Sequence, residues 1–138
     1  MRKVVKEQSE TEEEEEEEEK EKEENYKNSL NGIWKDQYGI RYYIKIVDNE
    51  IFGTITHNNE LKYSILGLIS VNKNMLLFSF TEIYNYISID NKNINVISCY
   101  LGNITDKNQT RISVKQTCLR CYDKDSISAI SCLFFEKV

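Results

Sequence analysis

The chain has 138 residues and a mass of 16.3 kDa, enough for one domain and too little for a multidomain enzyme. Its net charge of −5 is unevenly spread: residues 1–24 hold 13 Glu against 5 Lys or Arg, a net −8, which leaves residues 25–138 with 10 acids, 13 bases and a net +3. Five glycines, no proline and no apolar run near the roughly 18 residues of a spanning helix exclude collagen-like, proline-rich and helical membrane classes.

Met1 to Glu10 carries charges but no apolar core and no small-residue cleavage site, so the sequence predicts a cytoplasmic chain without a signal peptide. Glu12 to Glu19 follows as eight consecutive carboxylates, a block that repels itself and has nothing to bury. Residues 1–28 therefore read as a low-complexity acidic tail, disordered or helical (Glu is a fair helix former), and residues 29–138 as the folded domain. The tail's expected role is to keep the chain in solution, with binding to a basic partner or to the domain itself as alternatives.

From Asn31 onward the chain reads as strands separated by short Asn, Asp, Lys and Gly clusters. Asn31 to Asp36 opens the series. Gly39 to Asp48 then alternates Ile40, Tyr42, Ile44 and Ile46 against Arg41, Tyr43, Lys45 and Val47. Asn49 and Glu50 turn the chain into Glu50 to His57, Asn58-Asn59 into Leu61 to Val71, and Asn72-Lys73-Asn74 into Met75 to Thr81. Ile83 to Asp90, Ile94 to Thr105, Thr110 to Tyr122 and Ile127 to Val138 complete the set. Loops this short join only antiparallel neighbours, and a meander of about eight strands removes its exposed edges by closing. The expected fold is all-β: an eight-stranded antiparallel up-and-down barrel.

Several segments, in order, resemble the avidin and streptavidin family. They are Gly32-Ile33-Trp34 with Gly39, the strand Ile44 to Asp48, Gly53-Thr54, Tyr63 to Gly67, Tyr100-Leu101-Gly102-Asn103, Arg111-Ile112-Ser113, and the closing Phe135 to Val138. Gly-x-Trp also occurs in lipocalins, which are similar barrels. The resemblance implies a biotin-type pocket at the barrel mouth, and the chain departs from that pocket at most of its polar positions. The Asn, Ser and Tyr that donate to the ureido oxygen are matched by Asp36, Ile40 and Ile55, and the next Ser by His57. The Asp that accepts a ureido N–H falls on Leu133, and the Thr on the sulfur side on Ser98. Of the Trp walls only the basal Trp34 remains, with Tyr100 in place of one wall and Thr117 near another. A neutral donor set is needed because a buried carbonyl is held strongly only when its lone pairs are met. The resemblance thus implies a non-enzymatic barrel that takes a small, mostly apolar molecule, and not biotin tightly, on Asp36, Ile40, Ile55, His57, Ser98, Tyr100 and Leu133.

No paired-carboxylate, nucleophile-base or phosphate-loop pattern is present, and no cofactor or metal is expected. Cys118 and Cys121 have CxxC spacing, but on a strand residues three apart face opposite ways. Pairing Tyr122 with Ile127 would make Cys118 and Cys132 diagonal neighbours, both expected as free thiols. Tyrosine-rich strands and a net +3 invite a nucleic-acid reading, which the acidic tail opposes by competing for the same basic surface. Neither nucleic acid nor membrane is expected as a partner. Ile- and Tyr-rich strand faces suggest a homo-oligomer, and a barrel filled by its own side chains would serve as an interaction or oligomerisation module.

Overall fold

Alternation with a period of two gives each strand one apolar face, and that face can leave water only if the sheet curls round it. The computed structural model, which describes residues 2–57, 61–122 and 125–138, has this arrangement. Helix α1 (Arg2–Leu30) leads into β1 (Gly32–Lys35), β2 (Arg41–Val47), β3 (Glu50–His57) and β4 (Leu61–Val71), followed by β5 (Leu76–Ile87), β6 (Asn93–Ile104), β7 (Arg111–Tyr122) and β8 (Asp125–Lys137). Each strand pairs antiparallel with the next, and β1 returns to β8, which closes the barrel. Ile44, Ile51, Phe78, Phe80, Val114 and Phe135 belong to the enclosed core.

The strand pattern is that expected from the sequence, with two corrections. Met75 to Thr81 and Ile83 to Asp90 are not separate strands, because β5 runs unbroken through Glu82. Glu82 occupies an inward position in line with Leu76, Phe78 and Phe80, so the ladder has no reason to stop there. The β7–β8 register also differs: Tyr122 pairs with Asp125 rather than Ile127, leaving only residues 123 and 124 between the paired ends, a favoured hairpin length. Cys118 therefore lies opposite Ala129 and Cys132 opposite Lys115, so the expected Cys118–Cys132 neighbourhood does not form. The Asn58-Asn59 turn lies outside the described residues.

One end of the barrel is plugged. Residues 11–22 of α1 are exposed, but Ser29 and Leu30 at its end are buried, Leu30 fully within the core. The final carbonyls of a helix have no partners within it and attract cations. Here the Trp34 indole donates to the Leu30 carbonyl at 2.8 Å, and Lys137 Nζ donates to the Ser29 carbonyl at 2.6 Å while lying 5.3 Å from the centre of the Trp34 ring. Burial of that ammonium lowers the Lys137 pKa below its ordinary value. The acidic segment touches the barrel through Glu19, 3.8 Å from Lys73 in the β4–β5 turn. Both partners of that pair are solvent-exposed, so it adds little to stability.

At the other end the wall is uneven. The β4–β5 ladder stops at Ile65 opposite Glu82, whereas β5–β6 continues to Ile87 opposite Asn93. Strands β5 to β8 consequently stand beyond β1 to β4 as a four-stranded extension beside the mouth.

Two glycines mark where the wall is tightest. A Cβ at Gly53 would lie 1.8 Å from the Tyr43 carbonyl oxygen, and one at Gly67 would lie 2.0 Å from that of Ser79. Gly53→Ala and Gly67→Ala are each expected to cost about 3 kcal/mol in urea unfolding, because backbone must move. Gly39→Ala meets nothing within 4 Å and carries only the strain of its φ of +82°, on the order of 1 kcal/mol.

Candidate functional site

The interior is layered from the plugged end to the mouth, and its central layer is aromatic. Tyr42 of β2, Phe80 of β5, Tyr100 of β6 and Phe135 of β8 all face inward with 1% exposure each. Tyr42 and Phe135 have ring centres 4.3 Å apart, Phe80 and Tyr100 4.7 Å, and Tyr42 and Tyr100 5.7 Å. These four rings fill the middle of the barrel. Asp36, in the β1–β2 loop, accepts from the Tyr42 hydroxyl at 2.8 Å and from the amides of Tyr38 and Ile40 at 2.9 and 3.1 Å. Its carboxylate is thus spent on holding the loop and the tyrosine.

Above the rings lies Glu82, a carboxylate with 1% exposure. A buried carboxylate is costly unless its oxygens are met, and both are. Oε2 lies 2.8 Å from His57 Nε2, and Oε1 accepts from the Tyr100 hydroxyl at 3.3 Å. Gln116 on β7 donates to that hydroxyl at 3.2 Å, and Ser98 on β6 sits directly across the ladder from Glu82. His57, Tyr63 and Tyr84 form the next layer, with ring centres 4.7 to 5.6 Å apart. Burial, and then the charge of Glu82, push the Tyr84 phenol up to about 12. Burial raises Tyr42 and Tyr100 far higher, and Tyr100 and Asp36 add to the effect at Tyr42 as Glu82 does at Tyr100. At the rim, a hydrogen bond to Cys118 raises the Arg120 guanidinium above its ordinary value.

The residues expected from the sequence are brought together around this interior. Ile55, Ser98, Tyr100 and Leu133 are buried, Asp36 is buried in its loop, and Ile40 packs half-buried at the edge of the core. His57 is the one that reaches the mouth, with 22% side-chain exposure. Thr117, expected beside a ring wall, is exposed and faces outward, and its neighbour Gln116 takes the inward position. Sequence reasoning missed Glu82, Tyr42 and Tyr84. The signal for Glu82 was present, since it is the one charged residue on the inward side of β5, but placing a strand break there concealed it.

No family model matches the sequence, and no curated protein matches it. Solved structures do match. A biotin-binding protein from chicken superposes with a TM-score of 0.57 at 15% identity, over 81% of this chain and 98% of that one. Xenavidin matches with a TM-score of 0.56 at 15% identity, over 81% and 99%. The fold is avidin-like. A third structure, AVR2, agrees, with a TM-score of 0.57 at 21% identity over 81% and 97% of the two chains. The part of the chain left outside the match amounts to about the length of α1. The avidin-like barrel of this chain is closed at its base by Trp34 and Leu30 and occupied at its centre by aromatic rings.

An alkaline titration tests the layering. Unfolded tyrosine ionises near pH 10, so a group raised to about 12 contributes stability below pH 10 and loses it as the pH climbs through 12. Ultraviolet difference spectra are expected to show a Tyr84 step near pH 12 that Tyr84→Phe removes. Tyr42 and Tyr100, which burial raises further, are expected to ionise after Tyr84.

Proposed function

We propose that the chain is a non-enzymatic binding protein that takes a small, mostly apolar ligand at the barrel mouth and does not hold biotin tightly. The observation that carries this reading is the buried Glu82 carboxylate, paired with His57 beneath the rings of Tyr63 and Tyr84. Tyrosine and histidine rings offer a flat apolar body its contact surface, and the Glu82–His57 pair offers one polar end a partner. Asp36, Ile40, Ile55, Ser98, Tyr100 and Leu133 support that layer from below in this reading. Biotin fits it poorly: Asp36 is already engaged, Ile40 and Ile55 donate nothing, and Tyr42 and Phe135 take up the depth. Three missing buried hydrogen bonds, at about 1–3 kcal/mol each, correspond to about two to six decades of affinity.

A second reading, assembly through strand faces, is favoured by the outer surface. Across the middle of β4 to β7 the outward residues include exposed Leu66, Leu68, Ile83, Ile97 and Leu101, and Lys115 is the one charge among them. A contiguous apolar patch of this kind marks an interaction surface, and a face meeting its own copy needs no second sequence.

Calorimetry with biotin is expected to give no submicromolar binding. A ligand-observed NMR screen of flat apolar fragments bearing one hydrogen-bond donor is expected to yield hits that Tyr84→Ala weakens at least tenfold and Leu101→Lys leaves alone. Tight biotin binding, or hits indifferent to Tyr84→Ala, sinks the ligand reading. Light scattering that finds a monomer unaffected by Leu101→Lys sinks the second.

A further inference from the structure

Closure of the barrel leaves one strand edge open. Strand β1 has four residues, and on β8 it pairs only with Glu136 and Lys137. Just beyond, the Gln37 side chain stands in for a strand, its Nε2 donating to the Cys132 carbonyl at 3.0 Å and its Oε1 accepting from the Phe134 amide at 2.9 Å. Past that point, among the described residues, nothing pairs with β8 on this side, while its other side stays in register with β7 all the way to Asp125. Ser126 to Ser131 is therefore a well-formed strand with a free edge.

The composition of that edge matters as much as its exposure. Ser126, Ile127, Ser128, Ala129, Ile130 and Ser131 are all exposed, on both faces, with Ile127 at 66% and Ile130 at 74%. Strand edges left free in stable monomers are guarded by charge, proline, a bulge or a covering loop. This segment has no charge and no proline, and its ladder to β7 runs without a bulge. A strand of six uncharged residues that exposes two isoleucines and carries no proline has the pattern of one that pairs with another.

We propose that this edge of β8 pairs antiparallel with the same edge of a second copy, joining two four-stranded extensions into one eight-stranded sheet. The two-fold axis of such a pair stands perpendicular to the sheet, so inner faces stay on one side and opposed residues share a face. Centred on Ser128, Ile130 meets Ser126 and Ile127 meets Ala129. Centred on Ala129, Ile130 meets Ser128 and Ile127 meets Ser131. Neither register opposes like charges. The charge layout favours a second copy as the occupant, because helix α1 docks at the plugged end, away from the free edge. Antiparallel pairing sends the two plugged ends in opposite directions and keeps the two −8 segments apart. The interface differs from the strand-face surface of Leu66 and Leu101 and does not depend on it. A six-residue edge buries less than the roughly 800 Å² per partner of a standard interface, so the dimer is a weak one.

The test is sedimentation equilibrium of the full chain from about 5 μM to about 1 mM, the range of weak association, combined with amide exchange at both limits. The expected result is a monomer–dimer equilibrium little affected by salt, with the amides of residues 126–131 exchanging at least tenfold more slowly at the high limit. Ile130→Lys, a change at an exposed position, abolishes both effects, while Leu101→Lys leaves the edge protection in place. A monomer throughout overturns the proposal. So does association that Ile130→Lys leaves intact and Leu101→Lys removes, or edge protection that arises only when a foreign peptide is added.

Discussion

Two backbone pairs, Trp34 with Lys137 and Lys35 with Glu136, turn an eight-stranded meander into a barrel. So short a seam is a slender closure for a sheet whose other ladders run to twelve residue pairs. It is reinforced by a knot of side chains at the same place. Trp34 donates to the end of α1, Lys137 reaches the carbonyls of that helix end, and Leu30 fills the space beneath. Were the seam to open, the inward faces of all eight strands would meet water together, so the packing of the core depends on this corner.

With the barrel shut, its interior is settled by competition for space. Ile40 and Ile55 offer this interior no polar group, and rings from Tyr42, Phe80, Tyr100 and Phe135 occupy its centre. What polarity remains is concentrated in Asp36, which ties down a loop, and Glu82, which ties His57 to Tyr100. The first is structural by its partners. The second stands at the boundary between filled core and open mouth.

Much of this was legible in the sequence because barrels are written in alternation and turns. Strands β3 and β4 have the bounds that their period-two pattern and flanking Asn residues mark. Gly32-Ile33-Trp34 announced the basal tryptophan. The site was less legible. His57, Ser98 and Tyr100 were expected at the interior and lie there, but Glu82 was overlooked, because a charged residue between two apolar runs reads as a break until the ladder beside it is known. Tyr42 was set on the apolar side of its strand by the alternation with Ile40, Ile44 and Ile46, and its pairing with Trp34 and Ile55 puts it in the central layer. The β7–β8 register was missed because a slip of two residues preserves which face each side chain takes.

The docked helix also gives the molecule an electrical polarity. At 1.5 Å per residue, α1 is a rod of about 43 Å, comparable to the whole domain, and its acidic stretch is anchored at one pole of the barrel. The chain thus holds the acidic stretch of residues 11–24 at its plugged end, while residues 25–138, which include the mouth, carry a net +3. The field of such an arrangement turns the molecule as it meets a charged surface or solute: cations are drawn to the base, and the mouth is left facing whatever is neutral or negative.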